Sequence, residues 1–284
     1  NNVTAVYQDG LGYVWAGTEN GLNNFDGQKF KHFFTGQRPL NLPGMYIVKI
    51  VPFSGGRMGV VTRRGLQLIN TKDFSYESYR FPDTSYFAIY QNALLDATEL
   101  PDKSVLLCSR AGIYSFDKPG HLNFRYDEYP SANPQKDPLA YLQAITMLNE
   151  KEVLVYKVNN GLDYYDANEK KVTRIQEPVS EKFTAFFPHK IFGTTCTRIA
   201  ADQFIMFDRY KDSLTFYDRI LNKEVTSGIP CVLKEELNWE SRVFMMNDHQ
   251  FAISCSRNGY YLFHLDKQTG IITCDTQKYL PSFK

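Results

Sequence analysis

A short motif that recurs along the chain constrains the fold more than any other feature of the sequence. It consists of a small or hydroxyl residue, two polar residues, a glycine, an apolar residue, two further residues, and then an aromatic or aliphatic residue followed by Asp or Asn. The motif occurs without gaps at 18–26, 62–70 and 109–117. The fourth copy keeps Gly161, the fifth has Ser213 in place of the glycine, and the sixth keeps Gly259 but has His264 where Asp would stand.

The spacing of this motif indicates the architecture. Its anchor positions 21, 65, 112, 161, 213 and 259 lie 44 to 52 residues apart, close to the length of one four-stranded propeller blade. The six modules cover approximately 1–45, 46–90, 91–140, 141–190, 191–240 and 241–284. One such meander cannot bury both of its faces, so the copies must stack. The sequence therefore predicts an all-β chain that forms one β-propeller domain of four-stranded antiparallel blades over residues 1–284.

Each recurring residue type of the motif has a structural role. Glycine supplies the positive φ or the close backbone approach that the turn between the second and third strands needs. The apolar residue after it is expected to point into the core between blades. The final Asp or Asn is expected to close the next turn by accepting hydrogen bonds from nearby backbone N–H groups.

Composition excludes several classes of function. The 32 Lys and Arg against 31 Asp and Glu give a net charge of +1, without the basic excess of a nucleic-acid-binding protein. No apolar run is long enough to insert into a membrane, and no signal-like segment opens the chain, so we expect a cytosolic protein or an excised fragment. The five cysteines are scattered, which predicts buried thiols and no metal or redox cofactor.

Motifs for catalysis are also missing from the sequence. The five histidines form no metal-ligand pair, and no nucleophile motif accompanies them. The neighbouring carboxyl groups of Glu235 and Glu236 lie in a polar segment beside Trp239, typical of a solvated loop or short helix. We therefore expect this chain not to be an enzyme, with a carbohydrate-active lyase or hydrolase as the lesser alternative.

The first module closely resembles the regulator-propeller repeat of hybrid two-component systems, the large sensor proteins of Bacteroidetes and their relatives. The matching residues are Asp9, Trp15, Gly17, Thr18, Gly21, Leu22, Phe25 and Asp26. The resemblance implies a periplasmic sensor region, with a small β-sandwich, a transmembrane helix and a histidine kinase elsewhere in the native chain. It also implies that the ligand is an oligosaccharide and that the protein regulates polysaccharide utilisation.

The family's propellers usually have seven blades, whereas six modules are visible here. The ring is therefore expected either to close with six blades or to be a truncated seven-bladed ring.

The repeat also predicts where a ligand would bind. In a propeller, the loops that join the second strand of each blade to the third emerge at the same end as the connections between blades. The candidate ligand-binding residues in these loops are Arg63, Arg64, Arg110, Asn160, Tyr210, Lys211, Arg257 and Asn258. Five basic residues and one acid, Glu19, occur across the six loops. Guanidinium groups suit carboxylate and sulfate, which favours an anionic oligosaccharide.

Two further interpretations stay open from the sequence. Tyr46, Tyr86 and Tyr141 in the connections between blades, together with Tyr210, are candidates for stacking on sugar rings. Alternatively, the arginines are only soluble residues in exposed turns. In that case the chain is a scaffold propeller that contacts neighbouring propeller or sandwich domains of the native chain, or a second copy of itself in a homodimer.

Overall fold

The computed structural model describes residues 3–127, 142–149, 151–157, 161–175, 194–208, 212–237, 241, 243–255 and 259–279. Within these residues, 24 strands form six four-stranded antiparallel sheets, and in every sheet the strands are hydrogen-bonded in their order along the chain. Each sheet falls inside one of the six predicted modules. The predicted fold class, a β-propeller with six visible four-stranded blades, is confirmed.

The strands of the first three blades have the following bounds. The first blade contains β1 (Val3–Gln8), β2 (Val14–Thr18), β3 (Gly21–Phe25) and β4 (Phe30–Phe33). The second contains β5 (Ile47–Phe53), β6 (Arg57–Thr62), β7 (Gly65–Asn70) and β8 (Tyr76–Tyr79). The third contains β9 (Leu94–Glu99), β10 (Val105–Ser109), β11 (Gly112–Lys118) and β12 (His121–Asp127).

The other three blades follow the same plan. The fourth contains β13 (Leu142–Met147), β14 (Glu152–Lys157), β15 (Gly161–Asp166) and β16 (Lys171–Ile175). The fifth contains β17 (Thr194–Ala200), β18 (Gln203–Asp208), β19 (Ser213–Asp218) and β20 (Lys223–Gly228). The sixth contains β21 (Val243–Asn247), β22 (Gln250–Ser254), β23 (Tyr260–Leu265) and β24 (Ile272–Tyr279).

Helices contribute little to the described part of the chain. The α-helices there are α1 (Tyr86–Asn92), in the connection that leads to the third blade, and α2 (Cys231–Lys234), in the connection that leads to the sixth. A single turn of 3-10 helix, Ser54–Gly56, joins β5 to β6. None of the helices in the described residues has the length and hydropathy needed to cross a membrane.

The chain divides into two compact units. Residues 1–145 and 150–173 form the first unit, and residues 146–149 and 174–284 form the second. In the first unit, Leu22 is buried in the core between the first and second blades, and Leu66 is buried between the second and third. In the second unit, Leu214 is buried between the fifth and sixth blades. The prediction that this motif residue enters a core between blades is confirmed at these positions.

The hydroxyl at the start of the motif ties the loop between the second and third strands. Oγ1 of Thr18 donates to the carbonyl oxygen of Gly21 at 2.9 Å and accepts from the N–H of Asn20 at 3.0 Å. Thr62 repeats both bonds in the second blade, with Gly65 at 2.8 Å and Arg64 at 3.0 Å. These two hydrogen bonds close a compact loop, which explains why a small hydroxyl residue recurs there.

The acidic residue at the end of the motif closes the following turn, as predicted. Oδ1 of Asp26 accepts from the N–H groups of Gln28 and Lys29 at 2.8 and 2.7 Å. In the sixth blade the turn-closing acid lies two residues beyond the position that the motif assigns to it. His264 lies inside β23, and Asp266 takes the turn-closing position by accepting from Gln268 at 2.9 Å. β23 ends at Leu265, six positions after Gly259, whereas β3 ends at Phe25, four positions after Gly21, so the turn lies two residues further from the motif glycine.

The motif glycines act in two different ways. Gly21 and Gly65 have positive φ, +106° and +128°, which other L-residues rarely adopt. The φ of Gly112 lies outside the left-handed region, but a Cβ atom built there would lie 2.0 Å from the carbonyl oxygen of Tyr126. Glycine is needed at this third position because the neighbouring strand β12 passes too close for a side chain.

A substitution at Gly112 tests this packing constraint. We expect Gly112→Ala to lower the free energy of unfolding by about 2 kcal/mol, because β12 must shift to make room for a methyl group. Gly10→Ala is the matched control, since a Cβ atom there would meet nothing within 4 Å, and we expect it to change stability by less than about 0.5 kcal/mol. Urea unfolding followed by circular dichroism measures both, and equal stabilities would contradict the close contact.

The structure of the first module also explains the roles of Asp9 and Trp15, two further residues that match the regulator-propeller repeat. The carboxylate of Asp9 accepts from the N–H groups of Leu11 and Tyr13 at 2.9 and 3.0 Å, which closes the turn between β1 and β2. Its second oxygen accepts from Nε1 of Trp15 at 2.8 Å. One buried carboxylate therefore joins the first turn to the largest side chain in the core of this blade.

Candidate ligand-binding site

A cavity of about 640 Å³ lies in the first unit, where the connection from the first blade to the second meets the loop between β6 and β7. We call it the arginine cavity. It is lined by Thr35, Asn41, Leu42, Pro43, Gly44, Met45, Tyr46, Arg63, Arg64, Ser78 and Arg80. The loop between the second and third strands and the connection between blades thus lie together here, as the repeat predicts.

The structure brings two of the predicted binding residues together in this cavity, Arg63 and Arg64. Arg110 does not line it. Arg110 occupies the corresponding loop of the third blade, between β10 and β11, and its N–H donates to the carbonyl oxygen of Ala93 at 3.1 Å. The predicted residues Asn160, Tyr210, Lys211, Arg257 and Asn258 lie outside the described residues, as does Tyr141. Tyr86 is the first residue of α1.

Arg80 is a cavity residue that the sequence reasoning missed. It directly follows β8, the outermost strand of the second blade. A Cβ atom at Gly65 would lie 2.9 Å from Cβ of Arg80, so the absence of a side chain at Gly65 lets Arg80 approach the Arg63–Arg64 loop. The glycine of the motif thereby helps to gather three guanidinium groups around one space.

Arg63 is ordered by an aromatic ring. Its guanidinium carbon lies 3.9 Å from the ring centre of Tyr46, a cation–π geometry that holds a charged group in place without neutralising it. The covered face of the Tyr46 ring is therefore not free to stack on a sugar. Tyr46 acts in this structure as a support for Arg63.

One wall of the cavity is formed by the connection between β4 and β5, and hydrogen bonds anchor this connection to both the first and the second blade. The N–H of Gly21 donates to the carbonyl oxygen of Met45 at 2.8 Å. Nε2 of the buried Gln67 donates to the carbonyl oxygen of Asn41 at 3.0 Å. These bonds fix the backbone of the connection, so this wall of the cavity is held in place from both blades.

The charge of the cavity is one-sided. Three of its lining residues are arginines, and among the described residues that line it none is acidic. Asn41, Ser78 and Thr35 add neutral groups that can donate or accept hydrogen bonds. Arginine presents several N–H donors in a planar fork that matches carboxylate and sulfate oxygens. The arrangement is suited to an anion that also carries hydroxyl groups.

A second cavity, of about 400 Å³, lies in the second unit. It is lined by His249, His264, Leu265, Asp266, Thr269, Ile271 and Thr273. Among the residues that the structure describes, no group of three or more His, Cys, Asp or Glu side chains is arranged to hold a metal ion. Its mixed lining gives this cavity no comparable charge preference.

The described thiols are poor nucleophiles. Burial raises the pKa of Cys108 well above its usual range, and burial raises the pKa of Cys255 to about 11. Both therefore stay protonated near neutral pH, and a thiol is a much weaker nucleophile than a thiolate. The expectation that the chain is not an enzyme remains a prediction.

Six four-stranded blades place the chain in the structural class of β-propellers, and comparison with known proteins agrees with that class. No protein-family model matches the sequence, and no curated protein matches it. The structure is similar to the extracellular domain of BT4673 from B. thetaiotaomicron, described as a one-component or hybrid two-component system. The TM-score is 0.65 at 15% identity, over 97% of this chain and 36% of the other.

Two further structures are similar. The extracellular domain of BT3049 from B. thetaiotaomicron, described as a hybrid two-component system, matches with a TM-score of 0.61 at 16% identity, over 98% of this chain and 35% of the other. The WD40 β-propeller domain of Doa1 matches with a TM-score of 0.57 at 10% identity, over 98% of this chain and 82% of the other. This chain spans about a third of the two B. thetaiotaomicron domains, and at these identities the likeness shows the fold.

Proposed function

We propose that the chain is the ligand-binding propeller of an extracytoplasmic sensor in a hybrid two-component signalling protein. Its ligand is an anionic oligosaccharide, held in the arginine cavity. The native protein is periplasmic in this part, carries a histidine kinase elsewhere, and regulates polysaccharide utilisation. The likeness of the fold to two extracellular domains of proteins described as one- or two-component systems supports the sensor role, as does the repeat resemblance of the first module.

The observation that carries the ligand class is the arginine cavity itself. Its volume of about 640 Å³ lies within the range of pockets that bind small molecules. The guanidinium of Arg63 is held by the Tyr46 ring, and the backbone of Arg64 is held by Thr62. The Arg63 side chain therefore loses little freedom on binding. A sugar acid matches both the guanidinium groups and the neutral polar groups of the lining.

Removing two guanidinium groups tests the proposal. We expect Arg63→Ala/Arg64→Ala to weaken the binding of an anionic oligosaccharide about 100-fold. The estimate takes two charge-assisted hydrogen bonds at about 1.5 kcal/mol each. Calorimetry with trigalacturonate and with a sulfated disaccharide measures the loss and distinguishes carboxylate from sulfate.

Arg110→Ala is the matched control, because Arg110 has the same position in the repeat but does not line the cavity. We expect it to bind like the wild-type protein. If the Arg110 variant loses as much affinity as the double variant, the ligand binds along the row of loops and the cavity is not the site. Unchanged binding by the double variant would refute the proposed site.

A scaffold role is the second candidate, and one surface feature favours it. Ile220 and Leu221, at the turn between β19 and β20, are each 71% exposed. Adjacent exposed apolar side chains are typical of a surface that contacts another protein, such as a neighbouring domain of the native chain or a second copy. A glycan array without any hit would favour this role, and product analysis of any hit tests for lyase or hydrolase activity.

A further inference from the structure

Arg80 lines the arginine cavity and also contacts a carboxylate outside it. Nη2 of Arg80 donates to Oδ2 of Asp83, three residues further along the chain. Asp83 is not among the residues that line the cavity. The two side chains are 38% and 66% exposed. A carboxylate outside the lining thus already accepts a hydrogen bond from Arg80, which shows that this guanidinium can bind a carboxylate.

This contact is easy to exchange. Ion pairs between exposed side chains are weak and contribute at most about 1 kcal/mol. An incoming carboxylate would also be attracted by Arg63 and Arg64, whereas Asp83 approaches Arg80 from outside the lining. A ligand carboxylate can therefore replace Asp83 at little cost.

Asp83 is also connected to the segment between the second and third blades. Its Oδ1 accepts from Nδ2 of Asn92 at 3.3 Å. Asn92, the last residue of α1, is nearly fully buried, and its side chain accepts from the N–H of Phe81 at 2.7 Å and donates to the carbonyl oxygen of Phe81 at 2.9 Å. Asp83 therefore links a cavity arginine to the residue that ties the end of α1 to the start of this connection.

We propose that the ligand of the arginine cavity carries a carboxylate that replaces Asp83 as the ion-pair partner of Arg80. This exchange loosens the connection 81–92. The inference rests on the proposed function, since it concerns the same cavity. It narrows the ligand class to saccharides that contain a sugar acid. It also identifies the connection 81–92, which contains α1, as the segment that becomes less ordered when a ligand occupies the cavity.

Asp83→Asn tests the competition. The amide can still accept from Asn92, but it no longer competes as a charge for Arg80. We expect trigalacturonate to bind the variant about two- to fivefold more tightly than the wild-type protein, a change that corresponds to about 0.4–1 kcal/mol. Galactotriose, the neutral counterpart, should show no gain in affinity.

Hydrogen exchange tests the coupling to the connection. In the wild-type protein, trigalacturonate should increase amide exchange within 81–92. In Asp83→Asn, the exchange of this segment should already be raised without ligand and should not change further when ligand is added. Asp73→Asn is the matched control, because Asp73 is an exposed carboxylate in the turn between β7 and β8 and the substitution changes the net charge equally. It should behave like the wild-type protein in both measurements.

Three results would overturn the inference while the proposed function stands. The first is binding that depends on Arg63 and Arg64 but is equally tight in the wild-type protein and Asp83→Asn. The second is an equal gain in Asp73→Asn, which would show a general effect of charge. The third is a wild-type protein that binds the sulfated disaccharide but does not bind trigalacturonate, which would overturn the carboxylate inference alone. Loss of both ligands would refute the proposed function as well.

Discussion

Replacing Trp15 by alanine is expected to lower the free energy of unfolding by about 4 kcal/mol, within the range for aromatic truncation in a protein core. The Trp15 side chain is fully buried, and its ring centre lies 5.7 Å from that of Phe33 and 6.1 Å from that of Phe74. Alanine would leave a large cavity between the first and second blades. It would also remove the indole N–H that donates a hydrogen bond to Asp9.

Trp15→Phe separates the two contributions. Phenylalanine keeps most of the apolar contact with Phe33, but it has no donor for Oδ2 of Asp9, whose other oxygen remains bonded to the turn between β1 and β2. We expect a loss of about 2 kcal/mol, mainly from the unpartnered carboxylate oxygen and the smaller ring. Urea unfolding at constant pH measures both variants. A loss below 1 kcal/mol for Trp15→Ala would contradict the central place of this residue in the core.

The fold could be predicted from the sequence because the motif works through short-range hydrogen bonds. Thr18 bonds to residues two and three positions away, and Asp26 does the same. Such bonds require particular residue types at fixed spacings, so they leave a repeat that can be recognised. The departure at His264 has the same origin, because β23 ends two residues further from Gly259 than β3 does from Gly21, and Asp266 there accepts the turn-closing bond.

The cavity could be predicted only in part. Arg63 and Arg64 follow from the motif, but Arg80 belongs to the end of a strand and reaches the cavity through its close approach to Gly65. Arg110 has the same place in the repeat as an arginine of the cavity loop. However, the connection leading to its blade contains α1, whereas the connection at the cavity is irregular along 35–46. The lengths and conformations of these connections are set by tertiary packing, which a repeat motif does not encode.

Disrupting the ion pair between Arg219 and Asp202 in the second unit is expected to have the other large effect. Nε of Arg219 donates to Oδ1 of Asp202 at 2.6 Å, and the side chains are only 6% and 10% exposed. Arg219→Met keeps an apolar stem of similar length but takes the positive charge away from a buried carboxylate. We expect the free energy of unfolding to fall by about 3 kcal/mol, the lower limit for breaking a buried pair by removing one partner.

Two further variants show whether burial is the reason. Asp248→Asn affects another ion pair of the same unit, in which Asp248 is 82% exposed and lies 3.7 Å from Lys267, and we expect a change below about 1 kcal/mol. Arg219→Met/Asp202→Asn should be more stable than Arg219→Met, because no buried charge is left without its partner. Asparagine also tolerates the positive φ of 58° at Asp202. A double variant as unstable as Arg219→Met would mean that lost packing, and not the buried charge, causes the effect.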